Sequence, residues 1–109
     1  MEFVRVASTA EVPAGKMKKV NVRGKDVLIA NVDGVYCALS NTCPHFGGSL
    51  ADGTLHGNVV TCPRHGAQFD LKTGAAVGKA KVVFFQTMPK NAESYETKVE
   101  GTEVMVNLP

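Results

Sequence analysis

Two short runs, Cys43-Pro44-His45 and Cys62-Pro63-Arg64-His65, constrain this chain more than any other feature. Each sets one cysteine and one histidine at a short fixed spacing, C-x-H in the first and C-x-x-H in the second, with residues 46–61 between them. A proline follows each cysteine and locks its own φ, so the ligand spacing is stiff. Glycines follow both histidines: Gly47 and Gly48 in the first loop, Gly66 in the second. Without a Cβ, backbone N–H groups there can approach an anionic sulfur closely. Two thiols and two imidazoles suit tetrahedral zinc, and they also suit a two-iron site whose ends differ. Zinc fingers usually pair like with like, as C-x-x-C and H-x-H. Here each loop mixes the two, as a cluster with cysteines on one iron and histidines on the other requires. A catalytic Cys-His pair leaves unexplained why the pair occurs twice.

At 109 residues the chain has the size of one domain, with room for one core and no separate catalytic domain. A hydrophobic content of 44% with 20% charged residues reads as globular, not disordered. The net charge of +2 comes from mixed signs with no basic stripe, so no nucleic-acid partner is expected. Lys16, Lys18 and Lys19 read as a solvated strand face. No apolar run approaches membrane-spanning length, and the start Met1-Glu2-Phe3-Val4-Arg5 alternates like a strand rather than a signal peptide. A cytoplasmic protein without membrane contact is expected. Three cysteines, an odd number, argue against a disulfide framework. With Cys43 and Cys62 on metal, Cys37 remains, and it reads as a small buried hydrophobe.

The pattern is all-β. Alternating or β-branched runs occur at 3–7, 18–23, 26–32, 35–39, 95–99 and 103–107, and nothing sustains a period near 3.6. Gly24 marks a turn, and Asp33-Gly34 between two apolar runs is a strong hairpin signal. Glu100-Gly101 is placed at a third turn, and Gly74, Gly78 and Gly101 read as turn residues without chemistry. Between the strand groups, residues 41–74 are dense in Gly, Pro, Asp and Thr, with short strands expected at 58–61 and 67–71. The layout is a single domain, 1–109: an antiparallel β-sandwich scaffold (1–40 and 75–109) with a small metal-binding insert (41–74). Few apolar residues are seen to hold that insert, so it is expected to be the least stable part of the metal-free protein.

The stretch from Cys43-Pro44-His45-Phe46-Gly47-Gly48 through Cys62-Pro63-Arg64-His65-Gly66-Ala67-Gln68-Phe69-Asp70 to Lys72-Thr73-Gly74 closely resembles the Rieske ferredoxin family. The flanking strands agree in length and order, so the resemblance covers nearly the whole chain. It implies one Rieske-type 2Fe–2S cluster, with Cys43 and Cys62 on the buried iron and His45 and His65 on the outer, reducible one. The family's histidine edges lie near the surface, where an electron would enter and leave. Charge on the irons favours the deprotonated imidazole, so the potential is expected to fall at high pH.

Differences within the family narrow the reading. Rieske subunits of the cytochrome complexes carry an extra cysteine in each loop, joined as a disulfide; the matching residues here are Gly48 and Arg64. Those subunits also set a serine and a tyrosine hydroxyl on the cluster, where this chain has Ala67 and Phe69. Fewer donors stabilise the reduced state less, which places the potential near the low end of the Rieske span, at about −150 mV. The combination resembles the soluble ferredoxins of bacterial ring-hydroxylating oxygenases. It implies a carrier, monomeric when free, that takes one electron from a flavin reductase and passes it to a terminal oxygenase. A small electron-transfer subunit of a nitrite reductase-type enzyme is the alternative, and a redox-sensing module a third. Arg64 and Phe46 are candidate partner contacts. The chain itself is not expected to be an enzyme: a mononuclear oxygenase iron needs two further histidines and a carboxylate, and only His56 remains, in a surface turn. The run Val82-Val83-Phe84-Phe85 reads as core strand, although the family often has a proline-bearing loop here and the nearest proline is Pro89.

Overall fold

Two left-handed pairs shape the first half of the molecule. The computed structural model describes residues 2–42, 49–63, 66–78, 80–82, 85–87 and 92–108. Arg23 (φ 54°) and Gly24 (φ 83°) join strand β2 (Met17–Val22) to β3 (Lys25–Val32). Asp33 (φ 53°) and Gly34 (φ 89°) join β3 to β4 (Val35–Ser40). Positive φ at both loop residues matches the right-handed twist of the flanking strands, so both two-residue hairpins close in register. Val22 pairs with Lys25 and Val32 with Val35.

β3 is the centre of the molecule, because both of its faces are buried. Val27 and Ile29 point to one side, with Ala38 of β4; Leu28, Ala30 and Val32 point to the other, with Cys37 and Leu39. The first face packs on a sheet in the order β1 (Glu2–Ser8), β13 (Glu103–Leu108), β12 (Thr97–Glu100), which supplies Val6, Ala7, Val104, Val106 and Leu108. The pairing register shifts between Arg5 and Ala7, which lets the consecutive Val6 and Ala7 both be buried. The second face packs on a small sheet of β5 (Thr54–His56), β6 (Val59–Thr61), β7 (Gln68–Asp70) and β8 (Ala76–Gly78). Strands β9 (Ala80–Val82) and β10 (Phe85–Thr87) pair with each other, and β11 (Ser94–Tyr95) adds to β4. All pairings are antiparallel, and among the described residues the only helical element is a 3₁₀ turn, Leu50–Asp52. The expected β-sandwich scaffold is borne out, with the small sheet as a third layer.

Several sequence readings need correction. The run 95–99 is not one strand. Tyr95 pairs with Ala38, whereas Thr97 pairs with Val106, so the chain leaves one sheet for the other at Glu96. The Glu96 carbonyl accepts the Asn107 N–H at 2.8 Å and the Thr97 hydroxyl donates to the Tyr36 carbonyl at 2.6 Å, which ties the corner to both layers. The last hairpin turns at Gly101 and Thr102, between the paired Glu100 and Glu103. Val82 and Phe85 belong to two strands and pair with one another, so the run they bound is not a single core strand; Val83 and Phe84 lie outside the described residues. The small sheet is also better supplied with apolar groups than its composition suggests. Leu50, Val60, Cys62, Ala67, Phe69 and Leu71 all join the buried cluster beneath β3. Their shared burial is not legible in the sequence, because three-residue strands and the turns beside them show too little alternation to reveal a face.

The lysine-rich strand β2 is an edge, with Lys19 and, just before the strand, Lys16 exposed, which discourages pairing with a further strand. Lys18 pairs with Glu11, and this contact, followed by the Ser8 N–H, holds the Glu11 carboxyl down at about 2 against an ordinary 4.5. A depressed carboxyl stabilises the fold above its unfolded value and loses that contribution as pH falls through the folded one. Glu11→Gln is therefore expected to flatten the pH dependence of the thermal midpoint between 4.5 and about 2. The effect is small, because the pair is exposed. Parallel wild-type and variant curves across that window would count against it.

Candidate metal centre

The second Cys/His loop rises from a buried hairpin. Thr61 of β6 pairs with Gln68 of β7, and the ladder continues one step further, where the Cys62 N–H donates to the Ala67 carbonyl at 2.7 Å. The Cys62 carbonyl accepts the Gly66 N–H at 3.1 Å. Both backbone groups of Cys62 are thus held, and the residue is 1% exposed while Pro63 and Gly66 are exposed. Ala67 and Phe69 are fully buried in the same cluster, and neither side chain can donate a hydrogen bond. Gly66 has φ 78° with open space where a Cβ would be. Backbone handedness is therefore its reason for being glycine, and its N–H donates to the Cys62 carbonyl.

The first Cys/His loop lies between Thr42 and Ser49, and these two form an antiparallel bridge. Leu50, the next residue, is fully buried in the cluster that also holds Cys62. Three residues on, a Cβ at Gly53 would lie 1.9 Å from the Thr61 carbonyl oxygen, so only glycine fits there. Thr54 then pairs with Thr61. The exit of the first loop is in this way pressed onto the strand that delivers Cys62, and the roots of the two loops become neighbours.

Of the four expected ligands, Cys62 is placed as described; Cys43, His45 and His65 lie outside the described residues, as do Phe46, Gly47, Gly48, Arg64, Lys79 and Pro89. Among the described residues no group of three or more His, Cys, Asp or Glu could hold a metal. His56 is exposed at the end of β5, beside the Gly57-Asn58 turn, in keeping with a surface residue. Cys37 is buried opposite Ala30, and burial pushes its thiol pKa up, so it is a poor nucleophile. Cys37→Ala is expected to cost about 1 kcal/mol and to leave the visible and EPR spectra of the metal-loaded protein unchanged; altered spectra would show that Cys37 contributes to the centre. Sequence reasoning passed over Asn41 and Gly53, which give no local signal: one is a polar residue after a strand, the other a glycine in a glycine-rich stretch.

A β-sandwich whose third layer draws together the roots of two mixed Cys/His loops is the frame of a two-loop metal protein. The Rieske [2Fe-2S] domain model matches residues 2–89, and the chain belongs to that family. It is 31% identical over 107 residues to the ferredoxin component of the naphthalene 1,2-dioxygenase system of Pseudomonas aeruginosa, spanning 98% of this chain and 96% of that one. The ferredoxin of carbazole 1,9a-dioxygenase from Nocardioides aromaticivorans IC177 superposes with a TM-score of 0.87 over 100% of both chains at 28% identity. A structure of the complex of reduced oxygenase and oxidized ferredoxin in carbazole 1,9a-dioxygenase matches with a TM-score of 0.81 at 30% identity, covering 95% of this chain and 91% of that one. The family's cofactor is a single 2Fe–2S cluster, and the residues fit it: the donor set pairs two thiols with two imidazoles, and Cys62 lies at an apolar root. No helix of the described residues is long and apolar enough to cross a membrane.

Proposed function

We propose that this protein is an electron carrier that takes single electrons from a flavin reductase and passes them to a terminal oxygenase. Cys43 and Cys62 would hold the inner iron, and His45 and His65 the outer one. When bound, the cluster accepts and returns one electron at a time. The protein's own residues do the rest. Val60, Phe69 and Leu71 pack around the root of the second loop and exclude water from the Cys62 end. The backbone bonds of Cys62 to Ala67 and Gly66 fix the root of that loop. Ala67 and Phe69 offer no hydroxyl, which keeps the potential low.

The observation that carries this reading is the end-to-end match to ferredoxin components, 100% of both chains in one solved case. The same reading makes the chain a single domain, with scaffold 1–40 and 75–109 and insert 41–74, acting as a free monomer in the cytoplasm. Catalysis then belongs to the partner. Mixing the reduced protein anaerobically with oxidised oxygenase of a naphthalene-type system tests it by rapid-scan absorbance. One electron per chain is expected to pass to the oxygenase. A reduced protein that stays reduced, yet hydroxylates an aromatic substrate alone once oxygen is admitted, would overturn the reading.

A further inference from the structure

Asn41 is one of two polar residues among the described ones that are buried, at 3% exposure, and it stands at the root of the first ligand loop. Burial of an amide is costly unless its groups are bonded, and here they are. The backbone N–H donates to the Asp26 carbonyl at 3.0 Å, extending the β3–β4 ladder one step. The other three bonds all cross the mouth of the loop. The Asn41 carbonyl accepts the Leu50 N–H at 2.9 Å, Oδ1 accepts the Ala51 N–H at 2.9 Å, and Nδ2 donates to the Ser49 hydroxyl at 2.9 Å.

This arrangement solves a local problem in an unusual way. The 3₁₀ turn Leu50–Asp52 begins with N–H groups that have no partner within the turn. Ser49 occupies the capping position but makes no side-chain cap bond. The cap comes instead from across the loop, through the carbonyl and the Oδ1 of Asn41. A cap from Ser49 would stabilise the turn wherever it lay, whereas a cap from Asn41 fixes the turn relative to β4. The turn in turn bears on the second loop: the Gly53 N–H donates to the Leu50 carbonyl at 3.0 Å, and Gly53 sits hard against the Thr61 carbonyl, one residue before Cys62.

We propose that Asn41 is a positioning residue for the metal centre, setting the separation of the two ligand loops through its bonds to Ser49, Leu50 and Ala51. The inference rests on the reading of the two loops as the ligand loops. Residues that orient metal ligands without touching the metal commonly change metal affinity by about 10- to 100-fold when lost. Asn41→Ala removes both side-chain bonds. Ser49→Ala removes only the Nδ2 bond. Asn41→Asp keeps the acceptor for the Ala51 N–H, and the Ser49 hydroxyl can turn to donate to its second oxygen.

Three readouts on the metal-loaded protein decide it: the rate of iron loss to a chelator, the reduced-state EPR line shape, and the thermal midpoint. Asn41→Ala is expected to lose iron at least about tenfold faster with broadened EPR lines, Ser49→Ala to lie between it and wild type, and Asn41→Asp to restore both readouts. A lowered midpoint with unchanged EPR and iron loss would show a merely structural residue and overturn the proposal. If Asn41→Ala does not fold, Ser49→Ala decides: wild-type EPR and iron loss there also overturn it. A wild-type protein without a Rieske-type signal is a different failure, in which the ligand reading falls and takes this proposal with it.

Discussion

Cys62→Ala is expected to abolish cluster binding and leave the β-sandwich folded. The expected result is loss of iron from about two per chain to none, with loss of the visible absorbance and the EPR signal. The argument is one of separation. The backbone of Cys62 is held by Ala67 and Gly66, bonds that an alanine keeps. The side chain is part of a buried cluster that also holds Leu28, Leu39, Leu50, Val60, Phe69 and Leu71, all of which remain. Replacing a buried thiol by a methyl group costs this core about 1–2 kcal/mol, whereas losing one of the four proposed ligands removes the centre. Far-UV circular dichroism alongside iron analysis checks both halves. A variant that retains two irons per chain would remove Cys62 from the ligand set.

Gly74→Ala is the second change expected to have a large effect, this time on stability. Gly74 has φ 79°, a region costly for any residue with a Cβ, and an added Cβ would lie 2.2 Å from the Ala92 carbonyl oxygen. Its own groups are bonded on both sides: the N–H donates to the Asp70 carbonyl at 2.7 Å, and its carbonyl accepts the Ala92 N–H at 2.7 Å. Gly74 therefore joins the β7–β8 turn to the returning scaffold, and a side chain there must push the two apart. Backbone strain of about 1–2 kcal/mol and overpacking of about 1–3 kcal/mol combine to roughly 2–5 kcal/mol. That corresponds to a fall in thermal midpoint of roughly 10 °C or more for a domain of this size. Gly101→Ala is the control, with φ 62° and open space around it, so only the first cost applies. Equal losses in the two variants would show that the contact with Ala92 has no weight.

Much of this was legible in the residues themselves, and the exceptions have physical reasons. Asp33-Gly34 and Gly24 announced their hairpins because a tight turn needs positive φ, and few residues supply it. The two Cys/His runs pointed to the family the chain belongs to because metal chemistry restricts which residues serve and how they are spaced. The third layer was harder to see. Its strands have three residues each, and the contacts that place them, such as Phe69 beneath β3, join residues distant in sequence. Glu96 gives no sign that the chain changes sheets there, because alternation persists through the corner. Asn41 reads as an ordinary loop residue until its three bonds across the loop mouth are seen. Gly74 was recognisable as a turn glycine and Gly53 gave no signal, and neither showed as a place where another backbone stands too close for a Cβ.

The most direct test of the central claim is a potentiometric titration of the purified protein, followed by the EPR signal of its reduced state. The account predicts a Rieske-type signal, its average g lowered by histidine ligation, with a midpoint near about −150 mV because Ala67 and Phe69 bring no hydroxyl to the centre. A Rieske signal at a strongly positive potential would contradict the argument from those two residues and point to a quinol-linked role. The absence of any such signal, with zinc bound in its place, would end the electron-transfer reading altogether.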